Sequence, residues 1–166
     1  MARKLKWLSK EYITLNDVLL PTRYGTTQID HIVVSPYGIF VIETKNYKGW
    51  IFGHQDSEEW KQSLLGKKTL WGWSSEQHKF RNPIRQNLAH FRAVRDILKD
   101  VGEFTIIPIV AFSDSADLNI TTPNHTVINW CNLRSVIKSY RTPTISPDNI
   151  ERMVTKLSTA NITTEG

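Results

Sequence analysis

Apolar residues fall along this chain in short runs of two kinds. Ile29 to Val34 and Ile39 to Lys45 are β-branched and apolar at both parities, and Ser35-Pro36-Tyr37-Gly38 separates them. That pattern predicts a hairpin whose two faces are both covered, with Ile32 and Val34 on one and Ile29 and Val33 on the other. Tyr12 to Leu20 reads as an opening strand or a helix end leading into Pro21, and Gly49 to Gly53 as a short strand. From His54 to Arg81 the chain turns polar, with Trp60, Trp71 and Trp73 at irregular intervals, and predicts a long loop or lid. Asn82-Pro83 then opens a helix with Asn82 as its N-cap; Ile84, Leu88, Phe91, Val94 and Leu98 form its stripe and Gly102 closes it. Thr105 to Phe112 is predicted as a central strand in which Pro108 signals an edge or a bulge. Thr126 to Trp130 adds a strand, Leu133 to Tyr140 a helix, and Ser146-Pro147-Asp148 caps a last helix carrying Ile150, Met153, Val154 and Leu157. Strands first, then helix, strand, strand, helix, helix, give an α/β fold with a mixed sheet flanked by helices.

Length and composition fit one domain over residues 1–166: the chain has 166 residues, 40% of them hydrophobic, enough apolar material to offset the entropy of folding. Cys131 is the only cysteine, which excludes an internal disulfide and a cysteine-based zinc cage and suits a reducing compartment. No apolar run approaches the length of a membrane span, so a cytoplasmic protein without a membrane partner is expected. The net charge is +5, and Lys61 to Arg95 holds Lys67, Lys68, Lys79, Arg81, Arg85 and Arg92 against the single acid Glu76. A polyanion is the partner such a stripe suits.

The candidate chemistry lies in the hairpin. Pairing Ser35 with Gly38 sets Ile32 opposite Val41 and Asp30 opposite Glu43, with Lys45 on the same face two residues on. Two carboxylates in an apolar pair of strands repel unless a proton or a cation neutralises them, and a hard cation such as Mg2+ or Mn2+ suits oxygen ligands of this kind. The plain alternative is a salt-bridge ladder across a hairpin. A second match to the same spacing, Glu59-Trp60-Lys61 after Asp56, stands in a polar stretch with no strand pattern to align it.

The run Gln28 to Tyr47, followed by Gly49, Trp60 and Asn82-Pro83-Ile84-Arg85-Gln86-Asn87, resembles the nuclease-related domain over about Asn16 to Phe112, with residues 113–166 as an extra strand and helices. The resemblance implies the restriction-endonuclease-like fold of the PD-(D/E)xK superfamily and a metal-dependent nuclease acting in DNA processing. Asp30, Glu43 and Lys45 would then be the active-site acids and lysine, the Thr44 carbonyl an extra metal ligand, and Gln86 the helix glutamine. Family members usually place a Gly-Glu pair on a helix before the first strand. Met1 to Glu11 looks like only the tail of that helix, so a shortened copy or reduced activity is implied, with Glu11 the one nearby substitute.

In related nucleases a tyrosine one turn after the glutamine holds the substrate strand, and here that position is His90. Lys67, Lys68, Lys79, Arg81, Arg85 and His90 are thus the expected nucleic-acid contacts, while Trp71, Trp73 and Phe80 either stack on bases or pin the loop to the core. DNA is the expected partner, with RNA also compatible. The competing expectation is a nuclease fold that binds nucleic acid without cutting it. A protein-interaction domain is a third, disfavoured because it needs no common face for Asp30, Glu43 and Lys45.

Overall fold

The computed structural model describes Leu5 and residues 8–70 and 72–162. Two sheets are built on the chain. The first has the order β1-β2-β3-β7-β9, from β1 (Ile13–Thr22), β2 (Gly25–Ser35), β3 (Gly38–Lys45), β7 (Ile106–Phe112) and β9 (Thr126–Asn129). Its first three strands are antiparallel, and β3, β7 and β9 run parallel. The second sheet, β6-β5-β4-β8, comprises β4 (Gly49–His54), β5 (Glu59–Thr69), β6 (Gly72–Arg81) and β8 (Ala116–Thr121). Among the described residues the helices are α1 (Pro83–Leu98), α2 (Leu133–Ser139), entered through a 3-10 turn over Trp130–Asn132, and α3 (Pro147–Ala160). The fold is mixed α/β, as expected, but the expected single sheet is two.

Three apolar clusters hold these layers. On one face of the first sheet, Ile32, Val34, Ile39 and Val41 pack against Val94 and Leu98 of α1 and Met153 and Leu157 of α3. On the other, Val33, Phe40, Ile42 and Ile109 meet Leu133 and Ile137 of α2. Covered on both faces, these strands lack polar alternation, which is what made them legible. The third cluster joins the sheets: Ile51 and Trp60 pack with Ile84, Val110 and Phe112, and the Trp60 and Phe112 rings stack at 6.1 Å.

The expected loop at 54–81 is therefore mostly a long hairpin, β5 and β6, with a register shift between Leu65 and Lys68. Its strands need only one apolar residue in two on their inner face, and much of that face is polar, so no hydrophobic run announces them. The strand before Pro21 runs through that proline to Thr22. That is tolerated because β1 is an edge strand. Pro108 is likewise accommodated inside a strand. Ile39 N–H donates to Thr105 O and Ser113 N–H to Lys45 O, so odd-numbered residues of β7 face β3 and Pro108 faces β9. The β7–β9 ladder starts only at Ile109, so the missing N–H falls outside the paired stretch.

One expectation about faces is corrected. Ile29 packs with Ile32 and Val34, not with Val33. Leu15, Val18 and Leu20 show the same break of alternation in β1, across Asp17, which has a left-handed φ of 51°. Both strands thus change parity at the level of Asp17 and Asp30.

Candidate active site

The register of β2 and β3 is the expected one, with Ser35 opposite Gly38 and Ile32 opposite Val41, and the ladder ends at His31 opposite Ile42. Asp30 and Glu43 come next, at the fork where the strands part. There the Asp30 carboxylate replaces a backbone acceptor: its Oδ2 accepts hydrogen bonds from the Thr44 N–H and the Thr44 hydroxyl, both at 2.7 Å. Because N–H and C=O of one strand residue point to the same side, the Thr44 carbonyl faces this opening too.

Glu43 points toward α1 and is only 3% exposed. Its Oε1 lies 2.7 Å from Lys45 Nζ and its Oε2 3.1 Å from His90 Nε2. Burial pushes the Glu43 carboxyl up, but hydrogen bonds and charge from His90 and Lys45 outweigh it and hold the group below its ordinary value. Lys45 Nζ also donates to Gln86 Oε1 at 3.0 Å, and the His90 ring spans to Thr27 Oγ1, 2.8 Å from Nδ1. Glu43 is thus the centre of a chain running from Thr27 through His90 and Lys45 to Gln86, beside the Asp30–Thr44 pair.

Local sequence explains why α1 arrives here. Asn82 caps it as expected, its Oδ1 accepting from Ile84 N–H at 2.9 Å, while its Nδ2 donates to Gln55 O and Ser57 O in the β4–β5 turn. Further along, Asn87 Nδ2 donates to Val41 O and Ile109 O at 3.1 and 3.0 Å, tying the helix to the middle of the first sheet. Asn87 Oδ1 is buried without a protein partner. The buried side of α1 therefore includes Asn87 and His90 together with Ile84, Val94 and Leu98, while Leu88 and Phe91 are only half-buried. The stripe expected from spacing alone was rotated, because two polar side chains face the sheet.

Asp30, Glu43, Thr44, Lys45 and Gln86 are thus brought together. His90, expected on the nucleic acid, is 3% exposed and serves Glu43 instead. Arg85 stands at the start of α1, donating to Asp56 O at 2.9 Å and lying 3.8 Å from Glu58. Lys68, Lys79 and Arg81 are exposed on the β5–β6 hairpin, with Lys79 at 3.5 Å from Glu59. The Lys67 side chain and Trp71 lie outside the described residues. Phe80 packs among Tyr47, Trp60 and Phe112, whereas Trp73 is 61% exposed. Glu11 is exposed and precedes Ile13, which pairs with Val34 at the other end of β2, about 13 Å along the strand from Asp30. It is no substitute for a helix glutamate. Glu59-Trp60-Lys61 lies on β5 after all, but Asp56 sits in the turn before it, and both acids are solvated and placed against His54 and Lys79.

Sequence reasoning missed Thr27 and Asn87; an asparagine on the inner side of a helix was the available signal for the second. No helix is long and apolar enough to cross a membrane among the described residues. Among the same residues no group of three or more His, Cys, Asp or Glu is placed to hold a metal. What the fork offers a cation is two carboxylates and one carbonyl. That is an all-oxygen set suited to a hard ion that keeps several waters.

No solved structure matches the chain. A protein of Bacillus anthracis described as uncharacterized is 33% identical over 157 residues, covering 92% of this chain and 69% of the relative. The family model described as nuclease-related domain matches residues 1–113, the part that carries both carboxylates, Lys45, Gln86 and His90, and the chain belongs to that family.

Proposed function

We propose that the chain is a metal-dependent nuclease that hydrolyses DNA phosphodiester bonds at the fork between β2 and β3. The observation that carries the reading is the placement of Asp30, hydrogen-bonded to Thr44, beside the connected Glu43, Lys45 and Gln86 at the rim of the first sheet. Asp30 Oδ1, the Glu43 carboxylate and the Thr44 carbonyl would hold Mg2+ or Mn2+. Bound there, the ion would acidify a water and offset charge building on the phosphate. Lys45, 19% exposed at its side chain, has a third N–H beyond those on Glu43 and Gln86 with which to meet a phosphate oxygen. Gln86 keeps that ammonium aimed, and His90 keeps Glu43 charged and oriented.

A second reading has its own observation. Both Glu43 oxygens already carry partners, so the carboxylate is neutralised without a cation. A chain that keeps this closed network would bind nucleic acid and cut it poorly. Cleavage of labelled plasmid and single-stranded DNA in Mg2+, Mn2+ or EDTA, by the native chain and by Asp30→Ala, separates the two. Metal-dependent cutting that falls at least about a hundredfold in the variant is expected. Cutting retained by the variant, or no cutting in any metal while DNA stays bound, would overturn the nuclease reading.

A further inference from the structure

The outward face of the second sheet carries a feature the cluster at the fork does not use. Ile51 and Trp60 are fully buried and Gln62 is 8% exposed, so the residues between them turn outward. Trp50 and Phe52 of β4 are 40% and 46% exposed. They stand opposite Ser63 and Lys61 of β5, and Lys61 stands opposite Lys79 of β6, with Arg81 two residues further on. Nine large hydrophobic side chains are exposed among the described residues, and five belong to this sheet and its hairpin, including Trp50, Phe52 and Trp73. Exposed aromatics gathered on one face ask for a ligand with flat apolar groups.

The charges say which ligand. Cations lie toward β6, as Lys61, Lys79 and Arg81, with Lys68 opposite Trp73 near the hairpin end. The acids are Glu59, which pairs with Lys79, and Asp117 on the far side of Trp50. Such a face presents rings along β4 and positive charge along β5 and β6. Trp50 and Phe52, two residues apart in a strand, are about 7 Å from each other, so they serve as separate stacking surfaces for successive bases. A duplex keeps its bases stacked inside and cannot use them.

We infer that this face is a platform for single-stranded nucleic acid, with bases on Trp50 and Phe52 and phosphates along Lys61, Lys79 and Arg81. Along the chain the platform's strands adjoin the fork's elements: β4 begins at Gly49, shortly after Lys45, and β6 leads through Asn82 into the helix that carries Gln86. As a statement about substrate the inference rests on the nuclease reading; as a binding surface it stands without it.

The test is fluorescence anisotropy in EDTA, where no metal-dependent cutting interferes. Probes are oligothymidylate, oligouridylate and a duplex of equal length, and the proteins are native, Trp50→Ala/Phe52→Ala and Lys61→Ala/Lys79→Ala. Native protein should bind a single strand at least about tenfold more tightly than the duplex, and the aromatic variant should lose about tenfold or more, with its melting midpoint nearly kept. The lysine variant should flatten the salt dependence by a slope of about 1 to 1.5. Because binding is read in EDTA, its outcome is independent of whether the chain cuts. The ratio of thymidylate to uridylate binding assigns the natural polymer. Native affinity in the aromatic variant, preference for the duplex, or a native dimer that the aromatic substitutions dissociate would each overturn the inference.

Discussion

Glu43 and His31 are the two buried titratable groups near the fork whose protonation is tied most clearly to folding. The Glu43 carboxyl is opposed by burial and held low by His90 and Lys45, so its folded value lies below its unfolded one. Its stabilising contribution is present above the ordinary carboxylate range, near about 4.3, and is lost as pH falls through the lower folded value. His31, 6% exposed with Nδ1 2.7 Å from Asn16 Oδ1, is pushed down by burial against the opposing pull of Asp30 and Asp17. A lowered histidine costs stability as pH falls below about 6.5, the ordinary histidine range. Melting in EDTA from pH 8 downward should therefore show two declines, one starting near pH 6.5 and one below about pH 4.3. Glu43→Gln should shrink the acid-side decline, the remainder belonging to carboxylates such as Asp100 that the Lys156 ammonium also holds low, and His31→Gln should shrink the earlier one; a decline left unchanged by its own substitution would refute its assignment.

Among the elements, the hairpin of β5 and β6 shows where sequence reading stops. β2 and β3 were legible because both faces are buried and every residue reports it. In β5, Trp60, Gln62 and Leu64 make the inner face and only the first is a large buried hydrophobe, so a half-solvated strand looks like a polar loop. The Asp30, Glu43 and Lys45 cluster was legible for a related reason, since charge inside an apolar hairpin stands out. His90 was misread because a helix has two sides, and only Asn87 marked which one meets the sheet. The hairpin is pinned by Trp60, whose ring lies over Gly53: a Cβ built there would come within 2.3 Å of it. Gly53→Ala should cost about 3 kcal/mol through overpacking, about 6 to 12 °C in melting midpoint for a chain of this size. An unchanged midpoint would show that the second sheet is not anchored through this contact.

At the scale of the molecule, the two sheets are joined through Trp60, Phe80 and Phe112, and the fork of β2 and β3 opens beside that joint. A candidate hydrolytic cluster and a basic, aromatic face in one chain of net charge +5 would give the fold a division of labour. The second sheet would hold the strand and the first would cut it. The cutting half of that division depends on Asp30 and Glu43 acting together as a cation site, although lysine and histidine already satisfy one of them. The most direct measurement is the melting midpoint of the native chain and of Asp30→Asn, each in Mn2+ at rising concentration and in EDTA. A cation bound only by the folded state raises the midpoint by mass action, about 2.7 kcal/mol at a hundred times its dissociation constant. A midpoint that climbs with Mn2+ in the native chain and stays flat in Asp30→Asn is the predicted result; no climb in either, or the same climb in both, would contradict it.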